Sequence, residues 1–351
     1  MFRRNREYIH PELDAILTAS KKRREEWFNK LTISHRNLGV ALQDILECVQ
    51  RNKNTRFIFF IGMTGAGKTN LAENALADAL ADLWGDGAGA KKPFMYIPVE
   101  TNNEHTFAWK NLFSDIMEQG SAVPAEFIRE PSDSHGVIRY ASNSRLTLGA
   151  LRKAIKRMAD QRALKVIIFD EAYYFLRLRF DNLDVMDTAK SFAEQIDVKL
   201  LFIGSYELLE LSTLYATQIR RTEVVPFFRY DTKNKAEMKE FTIVVEKFAS
   251  NWPCKSIPNF PAAVEELADA SMGGVGQLSV ILSNFLGYQL RSKAEVWTPI
   301  MFGRALKATA LDEEMRDQII TGEAELRRKY SVKNYYCTNK GISAIGKKLA
   351  C

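Results

Sequence analysis

Eight consecutive residues, Gly62-Met63-Thr64-Gly65-Ala66-Gly67-Lys68-Thr69, carry the clearest chemistry in this chain, and they follow the apolar run Phe57-Ile58-Phe59-Phe60-Ile61. Glycines at this spacing let backbone N–H groups turn inward around phosphate oxygens, and a helix starting at the lysine adds its positive dipole end. In a G-x-x-x-x-G-K-[ST] loop the lysine reaches the β- and γ-phosphates and the next hydroxyl ligates Mg²⁺. The pattern therefore predicts a nucleoside triphosphate site built from Gly62, Thr64, Gly65, Ala66, Gly67, Lys68 and Thr69. An ordinary glycine turn is the alternative, and it needs neither the strand before nor the helix after.

A second constellation is Val166-Ile167-Ile168-Phe169-Asp170-Glu171, an apolar strand closed by two acids. In P-loop NTPases an acid here holds the Mg²⁺ shell, so Asp170 joins Thr69 as the predicted metal pair. Glu171 is then placed to orient and polarise the attacking water. One strand, near residues 94–99, lies between the phosphate loop and this acid pair in the chain. That order and the second acid mark the additional-strand, catalytic-glutamate division of P-loop ATPases, with ATP as the nucleotide. A helix-capping aspartate is the plainer reading of Asp170.

Two further positions extend the catalytic set. The apolar run 199–203 ends at Gly204-Ser205, where Ser205 can hydrogen-bond the water or the γ-phosphate and so sense hydrolysis, or simply close a strand-end turn. Gln218-Ile219-Arg220-Arg221-Thr222-Glu223 precedes another apolar run. Arg220 or Arg221 can reach a neighbouring subunit's nucleotide, an effect worth ~10³–10⁵ in rate where measured in GTPases; either can instead pair with a local carboxylate.

These residues need a scaffold, and the hydrophobic pattern supplies one. Mostly apolar segments at 57–61, 94–99, 165–169, 199–203 and 224–228 read as five strands alternating with helices, which implies a parallel sheet covered on both faces. Helical spacing is predicted at 38–50, 68–84 and 105–118, then in a helix capped by Thr147. Beyond residue 233 the strands stop and helical patterns cover 233–250, 261–272, 275–292 and 299–318, the last opened by Thr298-Pro299. The expected fold class is α/β: a P-loop five-stranded parallel sheet flanked by helices, followed by a small helical lid. The expected parts are an amphipathic extension at 1–37, a nucleotide-binding core at 38–232, the lid at 233–320 and a basic tail at 321–351.

Composition narrows the class of partner. The 351 residues carry a net charge of +6, with basic ends and a near-neutral centre. One central stretch departs from this: residues 121–165 hold nine Lys/Arg against four acids, a balance that suits a polyanion. No apolar run approaches the ~20 residues of a membrane span, and the N-terminus lacks a secretory apolar stretch. Cys48, Cys254, Cys337 and Cys351 are scattered and form no C-x-x-C pair. The expectation is a cytoplasmic protein with no membrane partner.

The ordered set of phosphate loop, Asp-Glu strand, polar sensor, paired arginines and helical lid resembles an AAA+ ATPase. Within that superfamily the chain resembles the TnsC/TniB/MuB group of transposition regulators over about residues 35–320. The segments that carry the likeness are 60–69, Val-Ile-Ile-Phe-Asp-Glu-Ala at 166–172, Phe-Ile-Gly-Ser-Tyr-Glu-Leu at 202–208, 218–230 and Met-Gly-Gly-Val-Gly-Gln-Leu at 272–278. The resemblance implies an ATP- and Mg²⁺-dependent homo-oligomer, a ring or helical filament, that wraps target DNA. It implies a link between a target-selection protein or complex and a transposase, and disassembly on hydrolysis. It also places DNA contacts after the second strand, in an insert near 100–150, which assigns Lys110, Arg139, Arg145 and Lys153 to the phosphates of double-stranded DNA without sequence preference, and a nucleoid-associated location. Trp109 beside Lys110 can stack on a partner, although an aromatic on a helix is more often core. One position departs from many replication initiators: Gln277 stands where they carry an arginine at the start of the third lid helix. The alternatives are another DNA-associated AAA+ machine, an initiator or helicase loader, and a nucleotide-gated scaffold.

Overall fold

The computed structural model describes residues 3–51, 55–85, 91–99, 109–120, 147–175, 182–212 and 222–330. Its contacts group into two compact units, Leu42–Ile61 with Thr69–Pro226, and Met1–Ala41 with Gly62–Lys68 and Phe227–Cys351.

The first unit holds the sheet. Strands β1 (Phe57–Gly62), β2 (Phe94–Pro98), β3 (Val166–Asp170), β4 (Lys199–Gly204) and β5 (Thr222–Phe227) run in the spatial order β2-β3-β4-β1-β5, and the sheet is parallel. Every residue of β1 and β3 is buried, as continuous apolar strands covered on both faces must be. In space β4 separates β1 from β3, whereas β2, the strand between them in the chain, pairs with β3 and is the edge strand among the described residues. The register sets Phe59 beside Phe202 and Phe202 beside Phe169. Rings of Phe59, Phe169 and Phe175 surround Phe202 at centroid distances of 5.1, 5.6 and 5.5 Å. That aromatic centre fixes where the strand ends fall, bringing Ile61 level with Gly204 and Pro98 level with Asp170.

Helices follow the predicted periodicity with instructive differences. Thr147 caps Leu148–Arg162 by accepting from the Ala150 N–H at 3.2 Å. The helix after the phosphate loop is not uniform: Lys68–Asn70 is α-helical, Leu71–Leu76 is a π segment, and Ala77–Trp84 returns to α. Such π turns frequently accompany functional sites. Trp109 opens the helix Trp109–Gly120 and lies 5.4 and 5.9 Å from the Phe113 and Phe175 rings, so it packs within the protein.

The second unit is helical. Trp252 is its hub, in ring contact with Phe28 at 5.1 Å, Phe260 at 4.9 Å and Phe285 at 5.7 Å. Its indole N–H donates to the Gln289 side chain at 2.9 Å, which makes its full burial tolerable. Leu13, Ile16, Trp27, Phe28 and Ile33 share this core, so the amphipathic N-terminal segment is built into it. Arg24 locks that segment through the Pro253 carbonyl at 3.1 Å and Glu295 at 2.8 Å. The single pattern read at 299–318 is two helices, Pro299–Ala308 and Glu313–Lys329, because Asp312 starts a new one by accepting from the Met315 N–H at 2.8 Å. The second helix runs on into the basic C-terminal stretch, anchored by buried Glu323 between Arg229 at 2.5 Å and Arg327 at 2.7 Å. None of the helices among the described residues is long and apolar enough to cross a membrane.

Two stability predictions arise in this unit. Gly273 has φ +75°, and a Cβ there would lie 2.0 Å from the Tyr230 carbonyl oxygen, while Tyr230 N–H donates to the Gly273 carbonyl at 3.0 Å. Gly273→Ala combines a left-handed backbone penalty with a backbone clash, and should cost about 2–5 kcal/mol in denaturant unfolding. An unchanged midpoint would show that the loop moves aside freely.

His35 supplies the second. Its Nδ1 accepts from the Leu38 N–H at 3.4 Å and lies 3.2 Å from the Tyr230 hydroxyl. Burial, then the charges of Lys247 and Arg36, push its pKa from 6.5 down to about 3. The unfolded chain takes up this proton near pH 6.5 and the folded chain does not, so stability is full above that pH. It falls by up to ~1.4 kcal/mol per unit as pH drops towards the folded value. Urea titrations at pH 7.5 and 5.5 should show a drop for the wild type that shrinks in His35→Gln; equal drops would remove His35 from the account.

Candidate nucleotide site

The phosphate loop takes its shape from two glycines. After β1 the chain turns, with the Ala66 N–H donating to the Met63 carbonyl at 3.2 Å. Gly65 and Gly67 then adopt φ of +73° and +95°, values that let the backbone N–H groups point to one side and that side chains with a Cβ resist. Lys68 is buried, and its ammonium donates to the Gly62 and Met63 carbonyls at 3.1 and 2.8 Å. Thr64 and Gly65 are exposed, whereas Ala66 is buried. The start of the helix Val275–Arg291 abuts the same loop: a Cβ on Gly276 would lie 2.1 Å from the Gly65 oxygen and 2.6 Å from the Gly67 nitrogen. Gln277, one residue on, donates to the Thr309 carbonyl at 2.8 Å. Its neutral amide adds no charge beside the loop.

The acid cluster forms at the carboxyl end of β3. Asp170 is 3% exposed. Its Oδ2 accepts from the Thr69 hydroxyl and the Tyr96 hydroxyl, each at 2.7 Å, and its Oδ1 accepts from the Glu171 N–H at 2.8 Å. The structure thus brings together Thr69 and Asp170, the two residues read as a metal pair across 101 positions of sequence. A hydroxyl that gives its proton to a carboxylate presents oxygen lone pairs, and hydroxyl plus carboxylate is the hard donor set that Mg²⁺ takes. The loop by itself suits phosphate oxygens, and this pair by itself suits Mg²⁺.

Glu171 is exposed and has φ +53°, a left-handed conformation that costs a residue with a side chain about 1–3 kcal/mol and tends to mark functional positions. Its carbonyl accepts from the Tyr174 N–H at 3.2 Å, closing the turn. Ser205 follows Gly204 at the end of β4, half-buried, with its carbonyl accepting from the Leu208 N–H at 3.1 Å. Tyr96 escaped the sequence reading. Burial, then its hydrogen bond to Asp170, raises its pKa, so it stays a protonated donor. The signal was a polar-tipped residue in a strand whose neighbours Met95 and Ile97 are buried, but choosing it required the β2–β3 register.

The remaining assigned residues divide. Lys110 is half-buried in Trp109–Gly120, where its carbonyl accepts from the Ser114 hydroxyl at 2.9 Å. Lys153 is exposed on Leu148–Arg162, a helix that packs against Trp109–Gly120. Arg139, Arg145, Arg220 and Arg221 lie outside the described residues, as does most of the insert near 100–150.

Comparison with known proteins agrees with this geometry. Residues 50–211 match the family model of the AAA domain. Among solved structures the chain is similar to Cdc6p from Pyrobaculum aerophilum, with a TM-score of 0.52 and 16% identity over 81% of this chain and 70% of that one. The Aeropyrum pernix ORC1 protein, solved in complex with DNA, gives 0.51 and 18% over 85% and 67%. Drosophila ORC bound to DNA gives 0.50 and 12% over 90% and 72%. Identities this low establish the fold, an AAA+ P-loop sheet with a helical region after it. The comparison with curated proteins finds no match.

Proposed function

We propose that this chain is an ATPase of the AAA+ type that regulates DNA transposition: it oligomerises on target duplex DNA when ATP is bound, links target selection to a transposase, and disassembles on hydrolysis. The observation that supports the ATPase part is the Thr69–Asp170 hydrogen bond beside Glu171, which brings together motifs distant in sequence. The transposition part rests on the resemblance of the motif segments to the TnsC/TniB/MuB group. The DNA-bound ORC structures of similar fold are compatible with a DNA-associated role.

In this reading the loop N–H groups and Lys68 hold the phosphates, and Thr69 and Asp170 hold Mg²⁺. When bound, the ion neutralises charge on the phosphate oxygens. Glu171 orients a water and accepts its proton, Ser205 senses the γ-phosphate, and Arg220 or Arg221 serves a neighbouring copy's nucleotide. Lys110, Arg139, Arg145 and Lys153 contact DNA phosphates, which position the protein without reading sequence. A DNA-bound cytoplasmic protein, associated with the nucleoid, follows from these roles.

The test is retention of unrelated duplexes on filters with ATP, with ADP and with neither, across 50–200 mM salt. Retention should require ATP, ignore sequence and fall by about 0.9 logarithmic units per phosphate contact for each tenfold rise in salt. Nucleotide-independent retention would defeat the proposal. A replication initiator or helicase loader is the second reading, favoured by the fold likeness to Cdc6p and ORC1; Gln277 in place of an arginine counts against it, and recovery of a helicase partner would establish it.

A further inference from the structure

We infer that Tyr96 is a positioning residue that holds the Asp170 carboxylate in the orientation needed for Mg²⁺-dependent nucleotide binding. The inference rests on the nucleotide reading above and extends it to a residue outside the motifs. Asp170 is buried at the end of β3, and its side-chain torsion about the carboxyl group is broad and two-fold, so its own backbone does not choose which oxygen faces which way. The Glu171 N–H holds Oδ1 at 2.8 Å. Oδ2 receives two hydroxyls at 2.7 Å, and they differ in kind. Thr69 is the residue expected to turn to the metal, and its hold on Asp170 is therefore conditional. Tyr96 stays outside that shell. Its hydroxyl is carried on a rigid ring from β2, a strand pinned in register with β3 from Phe94↔Val166 to Pro98↔Asp170. Sheet and ring together set the hydroxyl in one place, so Oδ2 keeps its orientation when Thr69 is engaged elsewhere. Outer partners of metal-binding carboxylates commonly act this way, and losing one typically costs 10–100-fold in metal affinity.

The experiment uses the full chain, a fluorescent ribose-labelled ATP and titration with Mg²⁺. Tyr96→Phe keeps the ring and removes the hydroxyl. The Mg²⁺ concentration that half-saturates nucleotide retention should rise about tenfold, while affinity measured in EDTA stays as in wild type; the thermal midpoint should fall modestly, because the buried Oδ2 loses one of its two hydroxyl donors. In an Asp170→Asn background the same substitution should add nothing, because its effect passes through that carboxylate. Equal Mg²⁺ dependence in wild type and Tyr96→Phe would overturn the inference, and so would an equal loss with and without Mg²⁺, which is the mark of packing alone. Failure of wild type itself to bind the nucleotide would overturn the underlying reading, and the inference with it.

Discussion

Glu171→Gln will leave ATP binding and ATP-dependent DNA retention intact while lowering steady-state phosphate release by about 10²–10⁴-fold, the range over which a positioned general base contributes. The amide has the shape of the carboxylate but cannot take the proton of an attacking water. The substitution also leaves the local fold undisturbed. Glu171 anchors Asp170 through its backbone N–H, at 2.8 Å, and closes its turn through its backbone carbonyl. A glutamine meets the φ of +53° with the same penalty as a glutamate. Oligomers formed with ATP should consequently outlast those of wild type, because the step proposed to dismantle them is blocked. Phosphate release measured alongside filter retention checks both halves, and equal hydrolysis by the two proteins would remove Glu171 from the mechanism.

Lys68→Ala should abolish nucleotide binding and DNA retention together. A charge-assisted hydrogen bond contributes about 1.5–3 kcal/mol, so two of them from one ammonium to the phosphates amount to roughly 10²–10⁴ in affinity. The same ammonium also ties the loop to itself, donating to the Gly62 and Met63 carbonyls. Its loss removes one donor from each of these two carbonyls, of which Met63's keeps the Ala66 N–H. A modest drop in thermal midpoint should accompany the loss of binding. Fluorescent-nucleotide titration and melting curves separate the two effects. Binding within a few-fold of wild type would show that the loop does not hold phosphates as proposed.

Several elements were legible before any coordinates. The phosphate loop announces itself because its shape is local: a buried strand, glycines at the two left-handed positions, Gly65 and Gly67, and a helix start all lie within a dozen residues. Asp170 and Glu171 were legible for the same reason, since an apolar strand closed by two acids is a short-range pattern. Thr147, Thr298 and Pro299 marked helix starts through chemistry that acts over three residues. The parallel sheet followed from strands that alternate with helical patterns.

What escaped the reading depends on partners far apart in the chain. The helix Glu313–Lys329 was hidden because its mean pattern merges with the helix before it, and it is held by Arg229, 94 residues from Glu323. The N-terminal helices read as an extension, yet Phe28 lies against Trp252 and Arg24 against Glu295. The spatial order that sets β4 between β1 and β3 is a property of crossovers, which one-dimensional spacing does not encode.

By itself, then, the amino-acid order determined where the chain turns on left-handed glycines and which acids stand at a strand end, because those features are backbone conformation and short-range polarity. Only the tertiary structure decided that Thr69 meets Asp170, and that a tyrosine from β2 shares the same oxygen. Strand register is the physical reason: it is set by side-chain packing across the whole sheet, around Phe202, and a hydroxyl one residue away along β2 would face the other side of the sheet.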